Sequence, residues 1–141
     1  MVVIESPPRE AAIIEFANKW TEQLAHENYD TAFEMLRTVT AYPGRSCVSS
    51  SNALRNRIVN YGSDTPIDDE PPYTVTSISS AVGDQWKNHI ELMPDSRYPG
   101  YVGCLDWWLP LNGEWSDLKA SFDIVKVPNG VAFVLVGLRI P

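Results

Sequence analysis

The sequence predicts an α+β fold: three N-terminal helices packed on a strongly curved antiparallel sheet, a cone with a pocket between the layers. Three observations point there. Apolar residues in the first half recur at helical spacing, whereas those after Tyr73 fall in runs rich in Val, Ile, Thr and aromatics. Asn112-Gly113 sits between two apolar runs, and a two-residue hairpin turn needs positive φ at both central positions. Helices therefore come first and sheet afterwards, without the βαβ alternation of a parallel sheet.

The first helix is expected from Ser6 or Pro7 to Asn28. Pro7 and Pro8 suit a first turn, where a missing amide proton costs nothing. Ile13, Phe16, Ala17, Trp20 and Leu24 make one apolar stripe, which Ile14 widens, with Glu15, Lys19 and Glu22 largely opposite. Asp30 is the expected N-cap of a shorter second helix to about Arg37, with Phe33 and Leu36 inward. Tyr42-Pro43-Gly44 breaks the chain into a loop. Ser49 to Ser51 offer caps for a third helix over Asn52 to Tyr61, ended by Gly62.

Ser63 to Pro72 is an acidic, proline-containing connector holding Asp64, Asp68, Asp69 and Glu70. Five strands are then expected: Tyr73 to Ala81, Trp86 to Met93, Tyr101 to Leu111, Trp115 or Asp117 to Val127, and Val131 to Ile140. Pro94 to Pro99 and Pro128-Asn129-Gly130 are turns between them. The whole chain, 1–141, reads as a single domain. A chain of this size buries roughly 70% of its unfolded surface, enough to fold without disulfide or metal.

Eleven basic against eighteen acidic residues give a net charge of −7. Nucleic acid and anionic membranes both require a basic face, so neither is an expected partner. An acidic surface suits a basic protein. MVVIESPPRE has no basic region ahead of its short apolar run, and no stretch approaches the roughly twenty apolar residues of a membrane helix. A cytoplasmic location is the resulting expectation. Cys47, Cys104, His26 and His89 have no metal-ligand spacing, no glycine-rich phosphate loop precedes a helix, and no cofactor is expected.

Asp106, between Leu105 and Trp107, is the best candidate general base. Alternation groups it with Val102, Cys104 and Trp108, and groups Tyr101, Leu105, Trp107, Leu109 and Leu111 on the other face. If the first set faces the pocket, Asp106 is a desolvated carboxylate, with Tyr101 or Tyr29 as hydrogen-bond donor. If the second and more apolar set faces inward, Asp106 is an outward strand charge; between the two lies an Asp106 paired with Lys119 or Arg139 on a neighbouring strand. Trp107 and Trp108 are adjacent on a strand, so one is core and the other lies on the outer face as a candidate partner anchor. His89 shares a face with Lys87 and Glu91 and reads as solvent-facing.

The run Phe16-Ala17-Asn18-Lys19-Trp20, followed by Asn28-Tyr29-Asp30-Thr31-Ala32-Phe33-Glu34-Met35-Leu36, resembles the opening of the nuclear-transport-factor-2-like superfamily, the cystatin-like cone. Leu109-Pro110-Leu111-Asn112-Gly113-Glu114-Trp115-Ser116-Asp117-Leu118 is similar to a motif of bacterial domains of that shape, several of which resemble immunity proteins of toxin systems. The resemblance implies a non-catalytic immunity-type inhibitor. Asp64, Asp68, Asp69 and Glu70 would steer a basic toxin, and Trp107 or Trp108 would anchor it. The superfamily also holds small-molecule isomerases, dehydratases and polyketide cyclases, so the alternative expectation is a small-molecule-binding protein or an isomerase- or cyclase-type enzyme using the pocket, with Asp106 as base and Tyr101 or Tyr29 as donor. A homodimeric accessory domain docking through its sheet is the third expectation.

Overall fold

The structure, a computed structural model, describes residues 1–63, 65–66 and 72–141. Three helices, α1 (Glu10–Ala25), α2 (Tyr29–Glu34) and α3 (Ser51–Val59), precede four strands, β1 (His89–Leu92), β2 (Tyr101–Leu111), β3 (Glu114–Val127) and β4 (Gly130–Arg139). The strands form an open antiparallel sheet in sequence order. The chain is thus α+β.

The apolar stripe of α1 is buried as its spacing requires: Ile13, Phe16, Ala17, Trp20 and Leu24. Phe16 meets Phe133 of β4 at a centroid distance of 3.8 Å, and Trp20 meets Phe122 of β3 edge-on at 5.0 Å. Burial of each such side chain contributes roughly 1.5–3 kcal/mol. Leu105, Leu109, Leu118, Phe122, Ile124, Phe133 and Leu135 supply the sheet's part of this core.

α1 stops at Ala25, earlier than Asn28, because Glu27 takes a left-handed φ of 57°. Asn28, not Asp30, is the N-cap residue of α2, and its side chain makes no cap bond. α3 is capped as expected, Ser50 Oγ accepting from the Ala53 amide at 3.0 Å. At the hairpin, Asn112 and Gly113 both have positive φ, 49° and 93°.

Tyr73 to Ala81 is not a strand. Val75 makes a single bridge to Leu111, and Ile78–Ser80 is a 3₁₀ turn. Glu22 of α1 explains the interruption: its carboxylate accepts from both the Ser77 hydroxyl and the Ile78 amide, at 3.0 Å each. Those bonds stop the segment from running on as a ladder partner. The expected strand over Trp86 to Met93 shortens to β1, so among the described residues the sheet has four strands rather than five. Trp86 and Leu92 are exposed.

Two irregularities in the β2–β3 register decide what the sheet presents. One falls between Tyr101 and Gly103, the other between Trp108 and Pro110. The first turns Tyr101 away from Leu105. Tyr101 pairs with Val125, and its ring meets Tyr98 at 5.3 Å, outside the main core cluster that contains Val102 and Leu105. Tyr101, Val125, Ala132 and Val134 are all buried yet lie outside that cluster.

Candidate functional site

Pairing fixes the two faces of the sheet. Leu105 opposite Phe122 and Trp107 opposite Ala120 belong to the core face. Cys104 opposite Asp123, Asp106 opposite Ser121 and Trp108 opposite Lys119 share the other. Trp107 is the inward member of the tryptophan pair, 2% exposed. Its Nε1 donates to Thr21 Oγ1 of α1 at 2.9 Å, and the Thr21 hydroxyl donates to the Ala17 carbonyl at 2.7 Å. A buried indole N–H is satisfied in this way.

Trp108 is the outward member. It is half-buried, and Trp86 stands beside it with 63% of its surface exposed. The connector leading into β1 places Trp86: Gln85 Nε2 donates to the Trp108 carbonyl at 3.0 Å, and Trp86 Nε1 donates to Asp117 Oδ1 of β3 at 3.2 Å. Lys119 Nζ lies 5.8 Å from the centroid of the Trp108 ring. Trp86, Trp108, Asp117, Ile140 and Pro141 line a groove of about 310 Å³. Of the lining residues, Ile140 is exposed as well as Trp86. Sequence reading singled out Trp108 but not Trp86, whose partner Asp117 lies thirty-one residues away.

The alternative set does not assemble. Asp106 is half-buried on the outward face beside His89, its register partner on β1. Neither Lys119 nor Arg139 makes an ion pair with it among the described residues. His89 is exposed and pairs with Glu91 at 3.2 Å, a contact worth little at such exposure. Tyr29 lies in the helix-side core, its hydroxyl buried without a hydrogen-bond partner among the described residues. Burial, followed by the charge of Glu27, raises its pKa. Asp106 and Tyr29 are therefore on opposite sides of the sheet, and Tyr101 joins neither.

Tyr101 belongs instead to a second locus at the far end of the outward face. Tyr98 Oη donates to Asp123 Oδ2 at 2.6 Å, and the Arg97 guanidinium lies 5.4 Å from the Tyr101 ring centroid. Burial pushes the Tyr98 hydroxyl well above its ordinary range, helped by the hydrogen bond to Asp123. Burial also pushes Tyr101 up to about 12, helped by its hydrogen bond with Cys104. A cleft of about 700 Å³ opens here, between residues 42–47 and Arg97-Tyr98, with Arg57 of α3 on its wall. Gly44 makes the junction possible: its φ is +77°, and a Cβ there would fall on the Tyr98 hydroxyl. The sequence carries a signal for this locus that the reading above did not use. Tyr-Pro-Gly occurs twice, at 42–44 and 98–100, each time with an adjoining arginine.

Asp64, Asp68, Asp69 and Glu70 lie outside the described residues. Among the described residues no three His, Cys, Asp or Glu side chains are grouped to hold a metal ion, and no helix is long and apolar enough to cross a membrane. Cys47 and Cys104 form no disulfide. Comparison of the chain with protein-family models, curated proteins and solved structures finds no match.

Proposed function

We propose that this chain is a non-catalytic binding protein that docks a basic partner protein on the Trp86–Trp108 end of its outward sheet face. The carrying observation is an exposed indole held in place: Trp86 is fixed to Asp117 while most of its surface faces solvent. A large aromatic already immobilised loses little side-chain entropy on association, which favours it as an anchor. The occupant follows from charge. The chain carries −7, and exposed Asp84, Glu114 and Asp117 adjoin the groove in sequence or register. A second copy with the same net charge is repelled, whereas a basic protein is attracted.

In this reading the helices and sheet form the curved cone of nuclear-transport-factor-2-like proteins, and the partner is a toxin that the chain inhibits. The α+β order of elements and the motif around Asn112-Gly113 support it. The acidic residues Asp64, Asp68, Asp69 and Glu70 add to the steering charge. The test is capture from the native host on immobilised wild-type chain and on a W86A/W108A chain, with the captured protein identified, purified and re-bound. A basic partner lost with the two indoles supports the proposal. Retention by the variant, an acidic partner, or self-association as the only product seen by sedimentation contradicts it.

A further inference from the structure

We propose that an extended segment of a partner protein adds as a further strand to the open edge of β1, in the groove between β1 and α1. The two ends of the sheet differ. The outer edge of β4 is taken by the chain itself. Val131 and Ile4 exchange both backbone bonds, at 2.9 and 3.0 Å. The Phe133 carbonyl accepts from the Arg37 amide at 2.8 Å, and the Leu135 carbonyl from the Cys47 amide at 2.9 Å. Where β2 runs beyond β1, the Trp108 carbonyl accepts from Gln85 and the Pro110 carbonyl from the Thr76 amide. β1 has no such cover. It is the terminal strand, and the Met93 amide just after it donates to the Val102 carbonyl of β2 at 2.9 Å. Antiparallel pairing alternates, so Glu91 and Met93 turn their peptide groups toward β2, and Ile90 and Leu92 turn theirs away. Among the described residues these outward amides and carbonyls have no hydrogen-bond partner. Such a row is a template for another chain.

The groove defines the occupant. Its volume is about 440 Å³, and it is lined by Glu10 and Ile14 of α1 and by residues 87–90. Ile14 and Ile90 are half-buried against the core. A strand residue paired with Ile90 or Leu92 points its side chain to their side of the sheet, where Ile14 stands, and so is apolar. The residue between them points the other way, beside Glu91. On that side Glu91 and Asp106 carry two carboxylates, and one imidazole, His89, is their sole ion-pair partner among the described residues. Residues 64 and 67–71, outside the description, contain no Lys, Arg or His and so add no balancing charge. The middle residue is therefore basic. Exposed Leu92 and Met93 lengthen the apolar rim at the end of β1. A second copy, also at −7, is disfavoured by charge. The partner segment thus reads apolar, basic, apolar in an extended conformation, the mode of strand addition at a sheet edge. This inference does not rest on the indole reading, since neither Trp86 nor Trp108 supplies a ladder bond to the added strand.

The experiment selects a phage-displayed library of random nine-residue peptides on the full chain, then titrates the enriched peptide by calorimetry and amide NMR. Enrichment of an apolar, basic, apolar sequence is expected, with a Kd of about 100 μM or tighter. Bound peptide should slow hydrogen exchange of the Ile90 and Leu92 amides at least about tenfold. N-methylation of the peptide amides, one at a time, should weaken binding about tenfold at alternate positions only. Leu92→Pro removes one outward amide at an edge position that tolerates proline, and should weaken binding at least about tenfold, whereas Trp86→Ala should leave it unchanged. The exchange and N-methyl arms use the unaltered chain, so they stand even where proline disturbs β1. No enrichment, an acidic middle residue, N-methyl effects without alternation, or unprotected Ile90 and Leu92 amides overturns the proposal. A peptide lost with Trp86→Ala but kept by Leu92→Pro belongs to the indole groove and overturns it as well.

Discussion

Trp107 of β2 donates its indole N–H to the Thr21 hydroxyl of α1 across eighty-six residues of chain, at 2.9 Å and in full burial. This bond fixes which of two neighbouring tryptophans is core. It thereby sets every other β2 side chain, out to the bulges at either end, on its face. The outward position of Trp108, on which the docking proposal rests, is a consequence of where Trp107 finds its acceptor.

Thr21→Val keeps the shape of the side chain and removes the acceptor. The Trp107 N–H is then left buried and unpaired. A loss of about 1–3 kcal/mol in urea-induced unfolding is expected. A double-mutant cycle with Trp107→Phe should show coupling, since the second change removes the donor that the first has orphaned. Additive losses would mean that the two groups do not depend on one another.

Gly44→Ala meets two obstacles, a left-handed backbone and the Tyr98 hydroxyl. The backbone alone costs roughly 1–2 kcal/mol. In the parent chain the total loss should exceed that, and in a Tyr98→Ala chain it should fall back to it. Denaturant midpoints of the four proteins give the comparison. Equal losses in both backgrounds would show that Tyr98 does not close over this residue.

Alkaline pH should unfold the chain from the outward face. Tyr98 and Tyr101 ionise near 10.0 when unfolded and higher when folded, chiefly because they are buried. Above pH 10 the unfolded state therefore binds fewer protons than the folded one, and stability falls as pH rises toward the folded values. The contribution is complete below pH 10. Phenolate absorbance should rise together with unfolding, and Tyr98→Phe should flatten the stability slope above pH 10. An unchanged slope would separate Tyr98 from the alkaline transition.

Much of this architecture was legible because its signals are local. The stripe from Ile13 to Leu24, the Asn112-Gly113 turn and the long apolar strands each specify themselves within a few residues. The failures came where distant groups intervened. Glu22 captured Ser77 and Ile78 and ended a strand that the β-branched composition from Tyr73 onward otherwise favours. A register irregularity moved Tyr101 to the face opposite Leu105, which no count of alternation reveals. At the sites the division is similar. Adjacency on a strand required one of Trp107 and Trp108 to face outward, but Trp86 joined Trp108 through the Gln85 bond to the Trp108 carbonyl and its own bond to Asp117. The cleft at residues 42–47 depends on Gly44 meeting Tyr98 fifty-four residues later, a contact that only the folded chain brings about.

Trp86 is largely exposed, so Trp86→Ala should leave stability within about 0.5 kcal/mol of the parent. Thermal melting checks this, and it separates a loss of binding from a loss of folding. A marked drop in melting temperature would mean that Trp86 is a structural cover for Trp108 and not an anchor.

The most direct measurement is the affinity and association rate of the chain for the protein it captures from its native host, compared with the W86A/W108A chain at low and high salt. The account predicts a basic partner, a loss of at least about 2 kcal/mol on removing the two indoles, and an association rate that falls as salt rises. Failure of the wild-type chain to retain any partner, or an affinity that is the same without the two indoles, would contradict it.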